Sequence, residues 1–251
     1  MDTRTAVGST ARWLAAGAAL AAAGYASWAA YSWLTYGHPR RPAPGDDRDS
    51  LLDRFMPYYD VAERHRVHVD AAAAVTFEAA THMNLLASPA IRAIFKAREL
   101  VLRSDAAPAP PRGSFIDQMA AIGWGVLAEV PGREIVMGAL TQPWLANVVF
   151  RALPPSEFKS FNEPGYVKIV WTLRADAIGA AHSIFRTETR VSTTDPVARA
   201  KFRRYWSLAS PGIILIRRLT LKPLKADAER RARALADVPT TELEDPEGSH
   251  V

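Results

Sequence analysis

Cysteine is absent from all 251 residues. This excludes disulfides, thiolate metal sites, iron–sulfur clusters and cysteine nucleophiles together. It leaves the compartment open, because a cysteine-free chain suits either side of a membrane. No glycine-rich phosphate loop, no Gly-x-Ser-x-Gly elbow and no His-Glu-x-x-His occurs, so P-loop enzymes, serine hydrolases of that type and zinc proteases have no sequence support. Charge is missing from one segment and positive charge from another. From Trp13 to Tyr36, 24 consecutive positions carry no charged side chain. From Asp237 to Val251 there are five acids and two prolines but no Lys or Arg. What is present is ordinary for a globular chain: 49% apolar and 23% charged residues, with 31 Lys+Arg against 26 Asp+Glu for a net charge of +5. The length suits one sizeable domain or two small ones, and no internal repeat is found.

The uncharged segment is long enough to be a membrane helix. Its length is about 36 Å as a helix at about 1.5 Å per residue, against a hydrocarbon core of about 30 Å. Trp13 stands at one end, while Trp28, Tyr31, Trp33 and Tyr36 crowd the other, as an interfacial aromatic belt does. A cleaved signal peptide is the first alternative, with Leu14 to Ala23 as its apolar run. Gly24-Tyr25-Ala26 is a poor cleavage site, and the run continues past it. A buried core helix is the second alternative, but it calls for a polar stripe that is not there. The expectation is a single-pass anchor in a bacterial cytoplasmic membrane. Arg4 and Arg12 before the run balance Arg40 and Arg41 after it, so the side on which the rest lies is not fixed.

The expected organisation is an N-terminal flank (1–12), the membrane helix (13–36), a Pro- and charge-rich linker (37–50), one folded domain (51–235) and an acidic disordered tail (236–251). Within the domain, alternation predicts a strand over Tyr59–Val69 with Val61, Glu63, His65, Val67 and Val69 on one face. Asp70 is the expected N-cap of a helix over Ala71–Leu86, and Ser88-Pro89 opens a second helix to about Arg103. Ser104 to Gly113 is a proline-rich loop, of which Ala106 to Gly113 is the candidate entrance flap. A short helix over Phe115–Ile122 precedes strands Trp124–Val130 and Glu134–Leu140, joined at Pro131-Gly132. A third strand is expected over Asn147–Leu153 and a short helix or turn over Pro155–Phe161. Tyr166–Ala175 and His182–Thr193 alternate cleanly. The latter sets Phe185, Thr187, Thr189 and Val191 on one face and Arg186, Glu188 and Arg190 on the other. Asp195-Pro196 opens a long C-terminal helix that Pro211 and Pro223 should kink or divide. Segregated strands and helices make the class α+β, with the last helix across the concave face of a curved antiparallel sheet.

This order, together with several residue groups, resembles the SRPBCC or START-like helix-grip superfamily, and within it bacterial proteins of the polyketide cyclase/dehydrase-like kind. The residues that carry the resemblance are Tyr59-Asp60-Val61 through Asp70-Ala71, Leu127 to Glu134, and Phe158, Phe161, Glu163 to Tyr166 and Trp171. They continue through Thr187 to Val191, Thr194-Asp195-Pro196, Ala198-Arg199, Phe202 and Tyr205-Trp206. The likeness spans roughly residues 58 to 230 and none of the N-terminal segment. It implies a helix-grip fold and a cavity for a hydrophobic molecule or lipid. It carries over no catalytic residue, since no acid–base motif of the cyclases is matched.

The candidate ligand-binding residues are Glu63, His65, Trp124, Met137, Trp171, Phe185, Thr187, Thr189, Phe202, Tyr205 and Trp206. Glu63 and His65 share a strand face and can orient a ligand or act as an acid–base pair. The aromatic residues equally suit a filled core, and the threonines equally suit plain strand formation. His65 and His68 lie three apart on a strand and point to opposite faces, so no metal site is expected. No cofactor and no nucleic-acid partner are expected. Asp195 to Arg233 holds eleven Lys+Arg against three acids, a basic face that suits anionic lipid or simple solvation. The leading reading is a membrane-anchored binder of a hydrophobic small molecule or lipid. The alternatives are a cyclase-like enzyme using the same cavity, and an interaction domain with a filled core.

Overall fold

The computed structural model describes residues 3–38, 45, 48–103 and 113–237. In chain order the helices are α1 (Thr3–Thr35), α2 (Ser50–Asp53), α3 (Ala73–Thr81), α4 (Pro89–Leu102), α5 (Phe115–Ala121), α6 (Pro155–Ser160) and α7 (Pro196–Ala236). The strands are β1 (Val61–Val69), β2 (Gly125–Val130), β3 (Glu134–Thr141), β4 (Phe150–Arg151), β5 (Val167–Ala177) and β6 (Ser183–Thr193). They form one antiparallel sheet in the order β1-β6-β5-β3-β2, with β4 paired to β3. α7 crosses the concave face, so the arrangement is α+β and fits a helix grip.

Local chemistry explains most of the elements. Ser88 Oγ accepts from the Ile91 N–H at the start of α4, with Pro89 in the first turn. Ser114 and Asp117 form a reciprocal capping box on α5. The Asp195 carboxylate accepts from Val197 N at 2.7 Å and Ala198 N at 3.0 Å, which starts α7. Gly132, at φ +70°, lets the chain reverse between β2 and β3. Gly123 is needed twice over: its φ is +100°, and a Cβ there would lie 2.1 Å from the Phe150 carbonyl oxygen.

Period-two alternation sorts the sheet into two faces. The concave face holds one apolar cluster built on Val69, Trp171, Leu173, Phe185, Met137 and Ile135, covered by Phe77 of α3 and Leu224 and Ala228 of α7. A second concave cluster joins Val61, Val167 and Val191 to Phe202 and Trp206 of α7 and to Tyr36. The convex face packs Val136, Leu140 and Val170 under Leu52, Phe55 and Met56 of the α2 region and Phe158 of α6. Burying each large apolar side chain contributes about 1.5–3 kcal/mol. Beside this convex cluster lies an ionic network. Arg190, with its side chain only 3% exposed, bonds Glu188 at 2.7 Å, Asp53 at 2.6 Å and the Met56 carbonyl at 2.8 Å.

Several expectations need correction. The segment from Trp13 to Tyr36 is helical, but among the described residues no helix is long and apolar enough to cross a membrane. Alanine, serine and glycine fill too many positions between the large apolar residues. Asp49, expected in the linker, is 4% exposed and caps α2 by accepting from Leu52 N at 2.7 Å. Asp70 caps nothing. The first helix after β1 is α3, which begins at Ala73 without a side-chain cap, and the Asp70 carboxylate instead faces Lys225 and His182. The strand expected over Asn147–Leu153 shrinks to two residues. Pro211 and Pro223 do not divide α7, which runs unbroken for 41 residues. The flap expected at 106–113 and the tail expected at 236–251 fall mostly outside the described residues.

The basic run on α7 is largely spent within the molecule. Arg199 pairs with Asp60 at 2.7 Å and Lys225 with Glu229 at 2.6 Å. Arg230 and Arg231 share Asp227, and Arg231 also reaches Glu78. Arg203 donates to the Trp33 carbonyl and lies over the Trp33 ring at 4.1 Å.

Candidate functional site

All eleven candidate residues face the concave side, but they do not form one wall. Trp124, Met137, Trp171 and Phe185 belong to the first concave cluster. Trp124 meets Trp171 edge-on with centroids 5.8 Å apart. Phe202, Tyr205 and Trp206 belong to the second, where Phe202 stacks on Trp206 at 5.8 Å. Met137 and Phe185 are at most 1% exposed, so these side chains fill the space they line.

Between the two clusters runs a polar row. On β1 the inward residues read Val61, Glu63, His65, Val67 and Val69, and on β6 they read Val191, Thr189, Thr187 and Phe185. The register pairs Glu63 with Thr189 and His65 with Thr187. The α7 face shows the same order, with Ile213 in one cluster, Leu221 and Leu224 in the other, and Arg217 between. Arg217 Nη1 donates to Thr187 Oγ1 at 3.3 Å. An apolar interior is thus crossed by one band of hydroxyl, imidazole, carboxylate and guanidinium.

The electrostatics of the band follow from its burial. Burial pushes the Arg217 guanidinium down to about 10, opposed by the Glu63 charge, so it remains cationic at neutral pH. Burial, then the charges of Arg217 and Arg218, push the His65 imidazole down to about 4. His65 is therefore neutral near pH 7 and can accept a proton or hydrogen bond. His65 Nε2 and Thr189 Oγ1 are buried and have no hydrogen-bond partner among the described residues. Leaving such a group unpaired costs about 1–3 kcal/mol. The band can therefore orient a polar group. Among the described residues no cluster of three metal-ligating side chains occurs.

Sequence reading picked out Glu63, His65, Thr187 and Thr189 but missed Arg217. Its signal was its position: it lies four residues after Ile213 and four before Leu221, on the inward stripe of the helix.

No protein-family model matches the sequence, and no curated protein matches it. Solved structures with some likeness include CalU16 from Micromonospora echinospora, at 12% identity over 69% of this chain and 87% of that one, with a TM-score of 0.23. The Zhui aromatase/cyclase from Streptomyces sp. R1128 matches at 16% identity over 69% and 96% of the two chains, with a TM-score of 0.21. A START superfamily protein from Mycobacterium smegmatis matches at 12% identity over 69% and 98%, with a TM-score of 0.25. Likeness at these scores carries no weight for function. The helix-grip arrangement rests on this chain's own sheet order and its crossing helix.

Proposed function

We propose that this chain binds a hydrophobic small molecule or lipid between the sheet and α7, and that α1 attaches it to a lipid surface. The apolar body of the ligand takes the place of packing between Trp171, Phe185 and Trp206, side chains that fill this space in the unliganded fold. Its polar end meets the row of His65, Thr187, Thr189 and Arg217. The observation that carries this reading is the polar row itself. A core built for stability alone gains nothing from two unpartnered buried polar atoms and a half-buried guanidinium. A ligand with one polar end supplies the missing partners, and burying its apolar surface contributes about 25 cal/mol per Å².

Attachment through α1 is supported by exposure. Every residue from Arg12 to Ser27 is exposed, among them Trp13 at 78%, Leu14 at 71% and Leu20 at 75%. The later part of the same helix is held to α7, with Trp28 Nε1 donating to Ser210 Oγ at 3.0 Å and Tyr25 donating to the Leu208 carbonyl. The apolar half therefore projects from a fixed base. An exposed apolar surface of that kind marks a membrane or protein contact.

Native mass spectrometry of the full chain in detergent, before and after denaturing solvent extraction, tests the ligand reading. The expected result is a stoichiometric extra mass that extraction removes and that Arg217→Leu diminishes. A bare mass, together with unchanged tryptophan fluorescence on titration with long-chain acids and alcohols, refutes it.

A further inference from the structure

We propose that the outer face of α7 is a second contact with the bilayer, and that it selects anionic lipid headgroups. The proposal rests on the reading that α1 meets lipid, and it adds which lipid.

The first observation is composition. From Pro196 to Ala226, α7 carries eight Lys+Arg and no acid. Four of the eight are used inside the molecule: Arg199 on Asp60, Arg203 on the Trp33 carbonyl, Arg217 on Thr187 and Lys225 on Glu229. Lys201 lies over the Trp144 ring. Arg204, Arg218 and Lys222 are exposed and pair with no acid among the described residues.

The second observation is where these three lie. Arg204, Leu208, Pro211, Leu215, Arg218 and Lys222 follow one another in steps of four and three, so they form a single stripe. It runs for about 27 Å at about 1.5 Å per residue. It lies on the side of the helix opposite Phe202, Trp206, Ile213 and Leu224, which pack toward the sheet. Leu208 and Leu215, at its centre, are 53% and 47% exposed. An apolar centre with unpaired cations at both ends matches a bilayer surface. The leucines meet the acyl boundary, and the cations reach lipid phosphates on their flexible stems.

The third observation is continuity with α1. Tyr25 donates to the Leu208 carbonyl, and Trp28 Nε1 donates to Ser210 Oγ at 3.0 Å. The exposed half of α1 therefore leaves α7 beside the centre of the stripe. A lipid surface that receives Leu20 and Tyr25 meets the stripe next. Other occupants fit less well. Nucleic acid gains nothing from the exposed leucines. A second copy laid on the stripe about a two-fold axis sets cations against cations.

The test is co-flotation of the full chain with two kinds of vesicle, phosphatidylcholine alone and an equal mixture with phosphatidylglycerol. Tighter binding to the mixture is expected at low salt, and the advantage should vanish at about 1 M salt, where the Debye length is about 3 Å. Arg204→Gln combined with Lys222→Gln is expected to lower affinity for the mixture roughly 25-fold at low salt, about fivefold per cation. It should leave the melting temperature and binding to phosphatidylcholine unchanged. Arg218 stays in place because its charge also acts on His65. Binding to phosphatidylcholine alone reads α1, and the increment from phosphatidylglycerol reads the stripe, so the two readings fail separately. Equal binding to both vesicles, or a double variant that keeps the full increment, overturns the inference and leaves attachment through α1 standing. A chain that binds neither vesicle refutes both. A dimer in detergent that Leu215→Glu breaks, with no phosphatidylglycerol increment, assigns the face to a second copy and also overturns the inference.

Discussion

Glu134→Gln is expected to stabilise the fold at neutral and alkaline pH and to do nothing at acid pH. Glu134 is 5% exposed and accepts from Thr172 Oγ1 at 3.4 Å. Burial, followed by the charge and hydrogen bond of Asp49, raises its carboxyl from 4.5 to about 7, and Arg174 and Arg133 only partly offset this. A carboxyl with a raised folded value binds its proton more tightly in the native state than in the unfolded one. Its stabilising effect is complete below 4.5 and is lost as pH rises through about 7. The gap between the two values corresponds to on the order of 3 kcal/mol. Glutamine stays neutral throughout and still accepts from Thr172. The unfolding free energies of wild type and variant should therefore coincide near pH 4.5 and separate by on the order of 3 kcal/mol above the native value, with the variant the more stable. The assay is urea denaturation followed by far-ultraviolet circular dichroism across this range. His65 slopes the opposite way, since its value is pushed down to about 4 and its contribution is lost as pH falls, but it is common to both proteins and cancels in the difference. A difference that is flat with pH, or that favours the wild type at high pH, refutes the reasoning.

Arg190→Leu is expected to cost about 3–5 kcal/mol in thermal or chemical denaturation, because Glu188 and Asp53 lose a shared buried partner. A loss under about 1 kcal/mol would mean that these carboxylates find other cations. Leu14→Glu with Leu20→Glu is expected to abolish co-flotation of the full chain with phosphatidylcholine vesicles and to leave the melting temperature unchanged, since both side chains are exposed. Undiminished flotation rules out lipid attachment through α1.

Much of the fold was legible because its signals are local. The alternation of β5 and β6, the Ser88-Pro89 and Asp195-Pro196 helix starts and the Pro131-Gly132 turn all declare themselves within a few residues. What was hidden depends on tertiary partners. Asp49 reads as a linker residue until α2 packs on the convex face and its cap is buried. Asp70 has the right type for a cap, but Lys225 from the far end of the chain competes for its carboxylate. α7 continues through two prolines because both its halves are held by other elements, α1 and the sheet, so tertiary contact overrides the local penalty. At the candidate site, the inward residues of β1 and β6 were readable from period two. The division of the aromatic residues into two clusters was not, because it requires knowing where Arg217 falls across the sheet.

One helix serves both ends of the molecule. Residues Arg199 to Ser210 of α7 hold α1 and also pack Phe202 and Trp206 on the sheet, while Ile213 to Ala228 continue along the sheet and carry Arg217. Pro211 sits at the junction, where its missing N–H leaves the Ser207 carbonyl without its helical donor. The stretch that holds α1 and the stretch that carries Arg217 thus belong to one continuous helix, with the bond missing at Pro211 between them. If lipid contact at α1 repositions the first stretch, the energy appears at Arg217 as changed affinity for whatever occupies the concave face. Thermodynamic reciprocity then requires that occupant to change the grip of α1 on lipid by the same factor.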